Sequence, residues 1–213
     1  MSKDLVFYSH PWTRGRGVHV FLEELGVPYA YRTIDIAGGE HKEAEYLSIN
    51  PMGKLPTLQH GDLIITESAA IYAYLADRFA PGRYAPLLED PARAKYLRAL
   101  FFSAGTLEYA LFDRFLGRTV EGERARMAIG YGALDTTLEA LELLIGEGPY
   151  VLGEQLSAAD FALGAQLEWT VMAKVTELGP KALALREKMR ERESFQRAKE
   201  AGRALLAELQ SAR

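Results

Sequence analysis

Two regimes of hydrophobic patterning divide the chain. In the first eighty residues short apolar runs alternate with short helical periodicities. Leu5-Val6-Phe7-Tyr8 is a compact apolar run and reads as a buried strand. Val18, Phe21, Leu22 and Leu25 share one helical face, which predicts a helix over about 14–25 that stops at Gly26. Tyr31, Thr33 and Asp35 alternate with Arg32, Ile34 and Ile36, predicting a strand over 29–36. A Gly-rich loop at 37–41 leads to a short helix over 43–48. Thr57-Leu58 reads as a strand entered directly from Pro56, His60-Gly61-Asp62 as a hairpin-like turn, and Leu63-Ile64-Ile65 as a second apolar strand. Ala70, Ile71, Tyr74 and Leu75 then predict a helix that opens at Glu67-Ser68 and runs to about 79.

The second regime is helical throughout. Residues 80–86 hold two prolines and a glycine and read as a linker. Beyond Pro91 the apolar spacing predicts helices over about 91–116, 121–145, 157–174, 180–192 and 195–211. Ser157 with Asp160 is a capping-box-like pair, and Leu156 with Phe161 forms the matching hydrophobic staple. The expected organisation is an α/β domain at 1–79, a linker at 80–90 and an all-helical domain at 91–213. The order β-α-β-α-β-β-α suits a four-stranded mixed sheet, its first two strands parallel and joined by a right-handed crossover.

Composition narrows the function classes. The 213 residues are 48% hydrophobic and 25% charged, with a net charge of −4 and no basic run of five, which argues against disorder and against nucleic acid as a partner. There is no cysteine, so disulfides, thiolate metal sites and protein-thiol chemistry are excluded. No run approaches 18 apolar residues and the first twelve residues contain no signal-peptide core. A cytoplasmic location and no membrane partner are the expectation. His10, His19, His41 and His60 lack metal-ligand spacing, and no metal is expected. Neither the phosphate-loop nor the dinucleotide glycine pattern is present.

Candidate chemistry gathers at residues 50–70. Pro56 cannot donate to a ladder, so it stands at a strand start or edge. It pushes Leu55 into the extended region. The Leu55 N–H and C=O are then available to an added peptide strand. About eleven residues on, a helix N-terminus with Ser68 attracts a carboxylate, and Glu67 suits an amine. A small zwitterionic peptide satisfies all three features. Each feature alone also reads as an ordinary turn or N-cap.

Asn50-Pro51-Met52-Gly53-Lys54-Leu55-Pro56-Thr57-Leu58, followed by Ile65-Thr66-Glu67-Ser68-Ala69-Ala70-Ile71, resembles the glutathione-binding half of cytosolic glutathione S-transferases. Gly148–Gly153 and Ser157-Ala158-Ala159-Asp160 resemble that family's helical domain, so the resemblance spans roughly 4–200. It implies a thioredoxin-like N-terminal domain, a cis Pro56, a homodimer, and glutathione as co-substrate. It also implies conjugation of the glutathione thiolate to a small hydrophobic electrophile. Glutathione-dependent peroxide or disulfide reduction and a non-catalytic binding or regulatory role are the alternatives. Bacterial members with Pro-x-Ser-Arg-Gly-Arg are the nearest look-alikes; here the segment is Pro11-Trp12-Thr13-Arg14-Gly15-Arg16.

On that resemblance Thr13, with Ser9 and Tyr8 as rivals, is the hydroxyl donor to sulfur, and Arg14 adds positive charge. Thr13 as a plain helix cap, and Arg14 and Arg16 as surface charges, stay open. Leu55 and Pro56 present the cysteinyl backbone's partner, Glu67 and Ser68 bind the γ-glutamyl group, and Lys54, with Lys42 and His41 behind it, meets the glycyl carboxylate. Phe101, Phe102, Tyr109, Phe112 and Phe115, with Trp169 and Met172, are candidates for core, electrophile pocket or dimer seam.

Overall fold

The computed structural model describes residues 5–211. It divides into two compact units: residues up to Leu75 together with those from Arg192 onward, and Ala76–Glu191.

The first unit is built on a four-stranded sheet of order β2-β1-β3-β4, comprising β1 (Leu5–Ser9), β2 (Ala30–Thr33), β3 (Thr57–His60) and β4 (Leu63–Ile65). β1 pairs parallel with β2 and antiparallel with β3, and β3 pairs antiparallel with β4. This is the mixed sheet expected from the element order. β1 alternates as its pattern requires, burying Leu5, Phe7 and Ser9. Helix α1 (Gly15–Leu25) buries Val18, Phe21 and Leu22 and ends on Gly26, whose left-handed φ of 64° lets its N–H return to the Leu22 carbonyl. Helix α2 (Ala44–Ile49) buries Tyr46, and α3 (Ser68–Phe79) buries Ile71, Tyr72 and Leu75.

β2 is shorter than the 29–36 expected. One further link follows it, from Ile34 N–H to the Ser9 carbonyl. The Asp35 carboxylate then accepts the N–H groups of Ala37 (3.1 Å) and Gly38 (2.9 Å), turning the chain out of the sheet.

The second unit is helical: α4 (Ala92–Phe101), α5 (Glu108–Phe115), α6 (Glu123–Ala128), α7 (Leu134–Ile145), α8 (Ala158–Met172) and α9 (Pro180–Arg190). The helix expected over 91–116 is continuous in direction but carries a π-helical segment, Phe102–Leu107, between α4 and α5. The helix expected over 121–145 breaks between α6 and α7, where Gly132 adopts φ 69°. α8 is buried along most of its length and packs on α4 and α9. Its capping box is present: Asp160 accepts Ser157 N–H and Ser157 Oγ–H, each at 2.8 Å, and its other oxygen takes Val151 N–H at 2.8 Å. The N-terminus of α9 is closed by Glu142 of α7, which accepts the N–H groups of Lys181 (3.0 Å) and Ala182 (2.9 Å). Phe112 stacks on Trp169 with centroids 4.5 Å apart, while Phe101, Tyr109, Phe115 and Met172 are exposed.

Helix α10 (Glu193–Ser211) is a correction. The sequence places it with the helical half; it packs on α1 and belongs to the sheet-containing unit. Charge pairing explains why. Arg192 bonds both oxygens of Glu24, Ser194 Oγ donates to Glu24 at 2.7 Å, and Arg197 donates to Glu23 at 3.0 Å. An open cleft of about 520 Å³ lies between α10 and the β2 side of α1, lined by His19, Glu23, Tyr29, Tyr31 and Leu205 among others.

Candidate functional site

The sheet brings three chain segments to one end. Ser9 closes β1 and leads into the turn before α1. Thr57 opens β3 opposite Tyr8. β4 runs back antiparallel to β3, with Ile65 opposite Leu58, and leads on to Glu67. The α1 N-terminus and Pro56 are in contact: a Cβ built on Gly15 would lie 3.1 Å from Pro56 Cβ and 1.9 Å from Ser9 Oγ. Only glycine lets the first turn of α1 close over Ser9 this tightly.

The Leu55-Pro56 bond is cis. The peptide before it is locked: the Lys54 carbonyl accepts from Tyr46 Oη–H (2.7 Å) and Asn50 Nδ2–H (2.9 Å). Both groups also reach Thr57 Oγ1, at 2.9 and 3.2 Å. Asn50 further holds the loop through Met52 N–H to its Oδ1. With both sides pinned, the partly exposed Leu55 presents a backbone N–H and C=O that pair with no described residue. Asn50 and Tyr46 are site-building residues that sequence reasoning missed; Asn50 carried a legible sign, since Asn-Pro marked a turn.

Glu67 adopts φ 65°, one of two non-glycine residues in the left-handed region among the described residues. A glutamate there carries a conformational cost of about 1–3 kcal/mol, a kind of strain that clusters at ligand sites. The twist turns the chain from β4 into α3, whose first turn contains no acid. The side chains of Glu67 and Ser68 have no partner among the described residues, and Glu67 is exposed. Lys54 is exposed in the loop before cis Pro56. Lys42 Nζ donates to the Met52 carbonyl at 3.1 Å, so it lies against the same loop. His41 sits behind, its Nδ1 buried without a partner.

The turn before α1 sorts the hydroxyl candidates. Tyr8 is spent: its Oη–H donates to Gln59 at 2.8 Å. Ser9, the rival hydroxyl, is fully buried under Gly15. Thr13 is partly exposed. Its hydroxyl donates to the His10 carbonyl at 2.7 Å, accepts Gly15 N–H at 3.3 Å and lies 3.4 Å from Ser9 Oγ. Thr13 thus accepts the first N–H of α1 while staying partly exposed. Arg14 and Arg16 flank it, and α1 has no acid in its first turn. Trp12, 68% exposed, stands next to Thr13 with its ring edge-on to His10.

Residues 4–77 match the family model described as glutathione S-transferase, N-terminal domain, and residues 60–190 match glutathione S-transferase, C-terminal domain. The chain belongs to the glutathione S-transferase family. It is similar to human glutathione S-transferase theta-2, 36% identical over 153 residues, covering 68% of this chain and 62% of the relative; the match therefore spans less than two thirds of that relative's length. It is 30% identical to mouse theta-3 over 186 residues, 82% of this chain and 76% of that one. Among solved structures it resembles glutathione transferase URE2P6 from Phanerochaete chrysosporium in complex with oxidized glutathione. That match has a TM-score of 0.78 and 25% identity, and covers 95% of this chain and 98% of the other. The four-stranded mixed sheet is therefore the glutathione S-transferase version of the thioredoxin-like fold, here with α10 packed on its first helix. No helix among the described residues is long and apolar enough to cross a membrane.

Proposed function

We propose that the protein is a glutathione transferase that attacks a small hydrophobic electrophile with a glutathione thiolate. The observations that carry this reading are the unpaired Leu55 backbone before cis Pro56 and the α3 N-terminus that follows Glu67, whose first turn contains no acid. A tripeptide with an amine and carboxylate at one end and a carboxylate at the other complements that arrangement. Its cysteinyl N–H and C=O pair with Leu55 beyond cis Pro56. Its γ-glutamyl amine meets Glu67, and the adjoining carboxylate meets Ser68 and the N–H groups of α3. Its glycyl carboxylate meets Lys54, with Lys42 steadying the loop.

The thiol then lies toward the α1 turn. A free thiol of pKa about 8.5 is mostly protonated at neutral pH, and a shift of two units needs about 2.7 kcal/mol of thiolate stabilisation. A helix N-terminus without a competing acid, the positive charge of Arg14 and a hydroxyl donor each favour the anion. Thr13 donates by rotating its proton from the His10 carbonyl to sulfur, its oxygen staying in place. The thiol proton goes to solvent. Sulfur then forms its bond to the electrophilic carbon as the leaving group departs or the acceptor's π-electrons shift away. Homodimer assembly is part of the same proposal and follows the family resemblance.

The test is an ultraviolet difference titration of glutathione with the purified protein across pH. Binding with the thiol pKa well below its free value supports the transferase. Binding with an unshifted thiol leaves a glutathione-binding scaffold, and no binding rejects the site.

A further inference from the structure

The cleft between α1, β2 and α10 has no role in that mechanism. Its volume of about 520 Å³ is that of a small-molecule site, and none of its lining residues belongs to the candidate glutathione site. Part of its lining is aromatic. His19 lies edge-on to Tyr29, with centroids 6.0 Å apart, and tilted against Tyr31 at 5.0 Å. The rest is largely aliphatic: Ala201, Ala204 and Leu205 stand at i, i+3 and i+4 on α10, joined by Val27 and Pro28 from the turn after α1. His19 is the polar group left over. It is 4% exposed, and neither ring nitrogen has a hydrogen bond to a described residue. Its nearest carboxylate oxygen, Glu23 Oε1, is 3.9 Å from Nε2, too far for one. Glu23 itself is engaged, accepting Tyr29 Oη–H at 2.7 Å and Arg197 Nε–H at 3.0 Å. A buried polar side chain without a partner, lining a cleft of ligand size, calls for an explanation.

We propose that this cleft is a second binding site, separate from the glutathione site, for flat, uncharged aromatic compounds that carry a hydroxyl, with His19 as the group that recognises the hydroxyl. Charge and shape select that class. Burial lowers the His19 pKa more than Glu23 raises it, so the imidazole is neutral near neutral pH and has one donor nitrogen and one acceptor. A hydroxyl both donates and accepts, so it pairs with the ring in either tautomer. The Glu23 carboxylate in the lining repels an anion, and a cation finds both Glu23 oxygens already bonded. A flat ring packs well among the rings of His19, Tyr29 and Tyr31 and against the small side chains of Ala201 and Ala204. The cleft volume accommodates two fused rings. Nothing in this recognition requires a thiolate.

The probe is 2-naphthol, which is uncharged at neutral pH, with binding followed through its own fluorescence. It should bind the parent with one site per chain and a dissociation constant of about 10–100 μM, the range open to a ligand of its size. Saturating glutathione should change that constant by less than about twofold. Naphthalene, which lacks the hydroxyl, and 2-naphthoate, which is an anion, should each bind about tenfold more weakly, the worth of one hydrogen bond or of one repelled charge. His19→Phe keeps a ring and removes both nitrogens. It should bring 2-naphthol down to the affinity of naphthalene and leave naphthalene within about twofold of its parent value. Ala204→Trp, at a residue already exposed on α10, should fill the cleft and abolish saturable binding of 2-naphthol. A parent without saturable binding, equal affinities for 2-naphthol and naphthalene, or 2-naphthol binding that survives Ala204→Trp overturns the site. Competition by glutathione places the ligand in the glutathione site and overturns it as well. Should His19→Phe fail to fold, the comparison of 2-naphthol with naphthalene and the Ala204→Trp variant decide it.

Discussion

The helix N-termini at α1 and α8 begin with the same ingredients and end in opposite conditions. Each has a fully buried serine beside it, Ser9 or Ser157. At α8 the chain supplies its own anion: Asp160, buried, accepts two bonds from Ser157 and one from Val151, and the terminus is complete. At α9 Glu142 does the same from a neighbouring helix. At α1 there is no acid in the first turn; the flanking residues are Arg14 and Arg16, and the last hydroxyl is partly exposed. α3 likewise has no acid in its first turn. A helix end that bonds its own carboxylate is a structural joint. A helix end held rigidly but left without one is suited to an anion brought by a ligand.

Substitutions can break that contrast from either side. The largest effect is expected at the closed end. Asp160→Ala strands buried N–H groups of Val151 and Ser157 and should cost about 3 kcal/mol in urea unfolding, with glutathione affinity of the folded protein unchanged. A loss below about 1 kcal/mol would mean the closed terminus is not what secures α8. At the open end the order reverses. Glu67→Gly should release the left-handed strain and stabilise the fold by about 1 kcal/mol while weakening glutathione binding roughly tenfold or more. Calorimetry and unfolding on the same sample check both signs, and a variant that loses stability would assign Glu67 to the fold.

Lys54→Ala should cost under about 1 kcal/mol of glutathione binding, an effect that disappears in high salt because the side chain is exposed. Persistence of the loss at 1 M salt would point to a buried contact instead.

The smallest effect is a slope. His19, under Phe7, Tyr29 and Tyr31, has its pKa lowered by burial, more than the nearby Glu23 raises it. Below about pH 6.5 the unfolded chain takes up a proton that the folded chain resists. His19 therefore adds nothing unfavourable above that pH, and stability declines as pH falls toward and through the folded value. His19→Phe should flatten the unfolding midpoint between pH 7.5 and 5, and an unchanged slope would exonerate His19.

Much of the sheet was legible because its constraints are local. The apolar alternation of β1, the proline at the entry to β3 and the glycine ending α1 each fix their neighbours within a turn or two. The capping box of α8 was legible for the same reason. What escaped depends on contacts far apart in sequence. Ser9 read as a rival donor to Thr13, and nothing local shows that Gly15 closes over it. Tyr46 and Asn50 acquire their role only when the Lys54 carbonyl is folded between them. The early end of β2 turns on one aspartate accepting backbone bonds, which hydrophobic alternation does not register. Helix α10 looked like any other amphipathic helix of the second half; its partner is selected by Glu23 and Glu24, about 170 residues away.

That last attachment has a consequence for biosynthesis. Chains emerge from the ribosome N-terminus first, at about 5–20 residues per second. The sheet and the segments that gather around Pro56 are available early, but the outer face of α1 has nothing to pack against until residues 193–211 have been made. For roughly ten seconds or more α1, which begins at the candidate site, lacks the bonds that Arg192, Ser194 and Arg197 make to Glu24 and Glu23. Its final packing arrives only once α10 has been made.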